Sequence, residues 1–176
     1  METLHVADEV RRAWDDAEPI RGGGVVVAGD RIGAVGTFEE LRVRFPGARV
    51  RTWAGVLGPA RVHEGPLPEA PTPRERIHAV LKLGATAVLA EYATAPGLRD
   101  AAARVGVLVL PAAVRTEIAE VTEIAEVTGI TGGTGATGLS GGTGITEAGR
   151  ADLAVFDADG RCVATVCAGR LVHRRA

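Results

Sequence analysis

Apolar residues recur at two different periods along this chain, and the change of period divides it. LHVADEV (4–10) and GGGVVVAGDRIGAVG (22–36) carry short alternating or continuous apolar runs bounded by glycine, which predicts strands. Gly29-Asp30 sits between VVVA and RIGAV and predicts a tight hairpin turn. FEELRVRF (38–45) instead places Phe38, Leu41 and Phe45 at helical spacing and stops at Pro46-Gly47. ARVRTWAG (48–55) sets Val50 and Thr52 against charged neighbours, which predicts an edge strand. The proline-rich GPARVHEGPLPEAPTP (58–73) has no period and predicts a connecting loop with little regular structure.

From residue 72 helices alternate with buried strands. PTPRERIHAVLKLG predicts a helix with Thr72 as N-cap, Pro73 at its first position and Gly84 beyond its end. ATAVLAEYA predicts a buried strand, PGLRDAAARVG a second helix and VGVLVLPAAV a further strand, an order that suits a parallel crossover. TEIAEVTEIAEV (116–127) gathers Ile118, Val121, Ile124 and Ala125 on one helical face opposite acids, which predicts a short amphipathic helix. Thr or Ser recurs every six residues from 116 to 146, a register that also fits a hexapeptide β-helix, but the units are too few to bury a solenoid core. From Thr128 the glycine content predicts a linker. GRADLAVFDADGRCVATVCAGRLVHRRA (149–176) predicts three strands with turns at Asp159-Gly160 and at Gly169.

Length and composition suit one α+β domain, with 46% apolar residues over 176 positions. A net charge of −2, with acids and bases interleaved, implies neither a nucleic-acid nor a membrane partner. The acidic start METLHVADEV lacks the pattern of a signal peptide, so the expected location is the cytosol. Cys162 and Cys167 lie five apart in a strand, on opposite faces, which predicts two separate thiols rather than a disulfide or a zinc pair.

VVVAGDRIGAVGTFEEL, the RFPGA that follows it, and ADLAVFDADGRCVATVCAGRLVHRR at the other end resemble the metal-dependent amidohydrolase superfamily, within it the imidazolonepropionase and aminodeoxyfutalosine deaminase group. The resemblance covers residues 4 to 58 and 138 to 176. It implies a composite, urease-like β-sandwich built from both chain ends (1–58 and 138–176) within a single domain. Residues 59–137 are then a small remnant α/β insertion, a truncated piece of a barrel closed by the low-complexity linker. A complete barrel takes about 250 residues, so most of it is missing.

In that family the resemblance implies a metal-bound water as nucleophile, held by an His-x-His pair after the first barrel strand, later histidines and an aspartate. Here GVLGPARVHEG puts His63 at the second position of the pair and Arg61 at the first. An arginine offers donors only and cannot ligate a cation, so the zinc or iron set is incomplete and no cofactor is expected. The pocket candidates are His63 and Glu64, otherwise a surface loop pair, and Glu91, which with Tyr92 ends a barrel-type strand and otherwise caps it or meets solvent. Lys82 suits the C-terminal end of its helix, and His78 reads as a helix-face residue. TGGTGATGLSGGTG (131–144) lacks the lysine of a phosphate loop.

Three functions follow as expectations, the third being a regulator or assembly partner of a full-length relative. The first is a shortened amidohydrolase-like protein without hydrolase activity, a binding or interaction module that forms a homodimer and takes a small-molecule ligand. The alternative is a metal-dependent hydrolase or deaminase of non-peptide C–N bonds, its site completed across the oligomer.

Overall fold

The computed structural model describes residues 1–111 and 144–175. The helix expected over 116–127 and the linker to 143 lie outside them. Strands dominate a mixed α/β fold. They are β1 (Glu2–Val10), β2 (Ile20–Arg21), β3 (Gly23–Ala28), β4 (Arg31–Thr37), β5 (Arg49–Pro59), β6 (Arg61–His63), β7 (Ala85–Leu89), β8 (Leu108–Leu110), β9 (Leu153–Phe156), β10 (Cys162–Cys167) and β11 (Arg170–Arg174). The helices are α1 (Phe38–Arg44), α2 (Pro73–Lys82) and α3 (Leu98–Val105).

Among the described residues, one eight-stranded sheet runs β11-β10-β9-β5-β1-β3-β4, with β2 paired to β1. Residues from both chain ends therefore share one hydrogen-bonded layer. They also share one core, in which Ala7, Val25 and Leu57 are buried together with Leu153, Val155 and Val166. The opposite face of β1 and β3 is closed by α1, whose Leu41 is buried with Leu4 and Val26. Thr37 and Glu40 form a reciprocal cap at the start of α1, which satisfies its first amide groups.

Among the described residues, the strand expected at a sheet edge over 48–55 has β1 as its one partner from Arg49 to Trp53, and β5 becomes interior only in its continuation from Val56 to Pro59. β5 pairs in parallel with β1 and antiparallel with β9. Its bulk lies at Trp53 and Leu57, both buried, while Val50 is 37% exposed. One tryptophan outweighs a valine in the choice of inner face, because the larger ring removes more apolar area from water.

The second sheet is β6-β7-β8, parallel throughout. Arg61–His63 is thus a strand within the stretch expected to be loop. Three residues were enough once β7 offered an edge, a non-local pairing that a window of prolines conceals. Thr72 caps α2 and Pro73 opens it, as its sequence dictates. Ile77, Val80 and Leu81 of α2 pack with Leu98 and Ala102 of α3 over β7, and Cys167 of the larger sheet joins them. The Thr165 hydroxyl donates to the Leu81 carbonyl at 2.7 Å, which ties the larger sheet to α2.

The two end motifs meet directly. Ile32 N donates to Gly149 O at 2.8 Å, Ala148 N to Ile32 O at 2.8 Å and Ala151 N to Asp30 O at 2.7 Å. The β10–β11 turn has positive φ at Ala168 and Gly169 (47° and 75°), the mark of a type I′ hairpin. A Cβ on Gly169 would stand 1.8 Å from the Gly29 carbonyl oxygen, so the two hairpin turns touch through backbone. Gly169→Ala should accordingly cost on the order of 3 kcal/mol or more by urea denaturation. Gly22→Ala, at φ 55° with nothing within 4 Å, should cost only about 1 kcal/mol.

His5 on β1 is 3% exposed and its Nδ1 accepts from the Trp53 indole N–H at 3.2 Å. The rings are 8° from parallel with centroids 6.0 Å apart, an edge-to-edge pair made coplanar by that bond. Burial first, then the Arg51 charge, lowers the imidazole to about 4 from 6.5. A depressed histidine gives stability that is complete above the unfolded value and is lost as pH falls through the folded one. Between pH 6.5 and pH 4 the unfolding free energy should drop by about 3 kcal/mol from this group, and His5→Phe should flatten that part of the profile.

Candidate functional site

His63 ends β6 and Glu91 lies on the 3-10 turn Ala90–Tyr92 that follows β7. Both therefore stand at the C-terminal end of neighbouring parallel strands, the end at which α/β proteins place working side chains. His63 pairs in register with Val88, whose side chain belongs to the helix-covered face. The other face of this sheet carries Ala87, Leu89 and Leu110. The His63 Nε2 is bonded to the Pro66 carbonyl at 3.0 Å, which fixes the ring within its own turn. Glu64 and Glu91 are exposed.

Arg61 is the more constrained member of the expected pair. Its guanidinium lies 4.1 Å over the Phe156 ring and 5.3 Å from the Trp14 ring. Trp14 and Phe156 meet edge to face at 5.3 Å, and the Trp14 N–H donates to Pro59 O at 3.0 Å. A planar cation on aromatic faces is stabilised by the ring quadrupoles, so Arg61 closes an aromatic cluster that spans β5, β6 and β9.

The four histidines occupy three places: His5 in the larger core, His63 at the end of β6, and His78 on α2 beside His173 on β11. Among the described residues no three of His, Cys, Asp or Glu come together as ligands. The residues from 112 to 143 contain Glu117, Glu120, Glu123 and Glu126 but no histidine. The imidazole-rich set that a hydrolytic zinc or iron requires does not fit these residues.

A buried charged node lies elsewhere. Asp152 is 1% exposed, accepts from the Ala168 amide at 2.9 Å and sits 3.3 Å from the Arg150 guanidinium. Arg150 also donates to the carbonyl of Gly106, just beyond α3, and lies 3.6 Å from the Cys167 sulfur. Burial raises the Asp152 carboxyl, against the Ala168 amide and Arg150. Burial, then the Asp152 charge, pushes the Cys167 thiol up to about 11, so it stays protonated and unreactive at neutral pH. Cys162 and Cys167 are both free, as their spacing predicts.

Sequence reasoning overlooked this node and the His5–Trp53 pair. The only signal for the node was the G-x-A-D-L motif itself (149–153), whose aspartate lies in an apolar run. Arg150→Met should strand the Asp152 carboxylate and cost about 3–5 kcal/mol in chemical denaturation, and adding Asp152→Asn should recover part of the loss.

Residues 23–48 match the family model for the imidazolonepropionase-like composite domain of bacteria. They form β3, β4, α1 and the approach to β5. Solved structures with a similar fold include the aminofutalosine deaminase of Helicobacter pylori, at 20% identity and TM-score 0.40 over 50% of this chain and 27% of that one. A guanine deaminase of E. coli has 14% identity and TM-score 0.48 over 63% and 35%. An adenosine deaminase of Xanthomonas campestris, solved with bound zinc, has 18% identity and TM-score 0.47 over 61% and 33%. The aligned part thus spans between 27% and 35% of these larger proteins. No curated protein matches the chain. Residues 23–48 are thus the part of this chain that is similar to the imidazolonepropionase-like composite domain.

Proposed function

We propose that this chain is a shortened amidohydrolase-like protein that acts as a binding or interaction module without hydrolase activity of its own. On this reading residues 1–58 and 138–176 are the composite β-sandwich, and 59–137 are the remnant of a barrel. The observation that carries it is the position of Arg61. Where the resemblance implies the first histidine of the metal pair stands a cation held against Phe156 and Trp14, and His63 beside it is bonded to its own loop. A guanidinium there repels a metal ion as well as failing to bind one.

A homodimer is part of the proposal. Among the described residues β6 and β8 each end the three-stranded sheet, and Val62 and Leu108 are only partly buried at the apolar face they share with Leu89. A second copy would cover that face and the open strand edges. The hydrolase alternative draws on one observation, the placing of His63 and Glu91 at the same end of neighbouring strands. It would need a partner copy to supply the missing ligands. No helix of the described residues is long and apolar enough to cross a membrane.

Metal analysis of the purified chain separates the two readings. Below about 0.1 equivalent of zinc, iron or manganese is expected, with no hydrolysis of aminopurines or cyclic amides after metal addition. Near-stoichiometric metal, with activity that His63→Ala abolishes, would establish the alternative. Light scattering should give twice the mass of one chain.

A further inference from the structure

One cavity lies away from His63, between α2, the end of α3 and β11. It measures about 670 Å³ and is lined by Thr72, Arg74, His78, Leu81, Val105 and Val172. That volume is in the range of small-molecule sites. Leu81, Val105 and Val172 give it an apolar floor continuous with the core beneath α2 and α3.

Its rim is cationic. Arg74 and His78 are exposed on α2, and Lys82 follows one turn later. None of the three is held in an ion pair with a described residue. His173 lies beside them on β11. Burial lowers its imidazole, and the charges of His78, Lys82 and Arg175 push in the same direction, against a backbone hydrogen bond at Cys162. The acid at the rim, Glu75, is turned back onto the helix start, where its carboxylate accepts from the Thr72 hydroxyl at 2.8 Å and the Thr72 amide at 3.1 Å. A second, smaller hollow of about 250 Å³ continues past Arg74 to Arg104, with Asp100 as its acid. At the first cavity Arg74 and Lys82 outnumber the one lining acid, Glu75, whose carboxylate is already occupied by the Thr72 hydroxyl and amide. Cations above an apolar floor are complementary to a ligand with a carboxylate head and a hydrocarbon body.

We infer that this groove binds a small amphipathic carboxylate, its head at Arg74 and His78 and its apolar body on Leu81, Val105 and Val172. The inference rests on the reading of the chain as a binding module and gives that module its ligand class. Neither hydrolysis nor a metal enters it.

Octanoate is a suitable probe, with octanol and acetate as controls for the apolar body and the charge, titrated into the full-length chain and followed by amide chemical shifts. Octanoate should saturate in the millimolar range or tighter, shifting residues of α2, Val105 and Val172, while both controls bind at least about tenfold more weakly. Arg74→Ala and His78→Ala, which remove exposed side chains, should each weaken octanoate several-fold and leave the thermal midpoint unchanged. The inference is overturned by failure to saturate below about 10 mM, by octanol binding as well as octanoate, by shifts centred elsewhere, or by variants that bind like the parent. Hydrolytic activity in the assay of the preceding section would overturn the binding-module reading alone, because the groove and His63 are separate places.

Discussion

The backbone contact between the Gly29-Asp30 turn and the strap at 148–151 is the constraint on which the rest depends. Three main-chain hydrogen bonds join segments more than a hundred positions apart, and Gly169 brings the last hairpin against the first. Closing so long a loop has an entropic cost, though it grows only logarithmically with length. The intervening residues can therefore vary widely in number without dissolving the closure. What the closure cannot tolerate is a side chain at Gly169, where backbone approaches the Gly29 carbonyl. Gly169 follows from that geometry, whereas Gly29 serves its positive φ, with open space where a Cβ would stand.

Given the closed sheet, the smaller layer needs only a few anchors. Arg61 follows Pro59 and Ala60 directly, so β6 emerges from the end of β5 and is held by its stack on Phe156. Arg150 reaches from the strap to the Gly106 carbonyl, and Thr165 reaches Leu81. The Arg150–Asp152 pair gains by being shared among three elements. A buried ion pair alone repays its desolvation poorly, but each further hydrogen bond to backbone offsets part of that cost. Cys167 fills the remaining space as a protonated, apolar thiol.

Most of the elements were legible from periodicity. The hairpin at 29–30, the capped helix at Thr72, the β7–α3–β8 crossover and the three final strands appear where alternation, capping residues and turn glycines place them. The exceptions share a cause. β5 has one partner where Val50 and Thr52 alternate with arginines, but its continuation to Pro59 gains β9 from the other end of the chain, which the local pattern does not show. β6 was hidden among prolines because its pairing partner lies more than twenty residues on. His5 was a histidine of no evident use until Trp53, 48 residues away, met it. Local patterns record local preferences, and partners set by tertiary pairing leave no trace in a short window.

The candidate site shows the same limit in chemical form. From the residues alone, His63 beside Arg61 said that one ligand was absent. It could not say what the arginine does instead. The structure supplies that part: the guanidinium rests on Phe156, a residue of β9, while β9 itself pairs with β5. Arg61 thus belongs to the closure of the sheet as much as to the strand that carries it. A histidine in its place would lose the planar cation that covers two aromatic rings, and nothing else described here would gain a ligand partner for it.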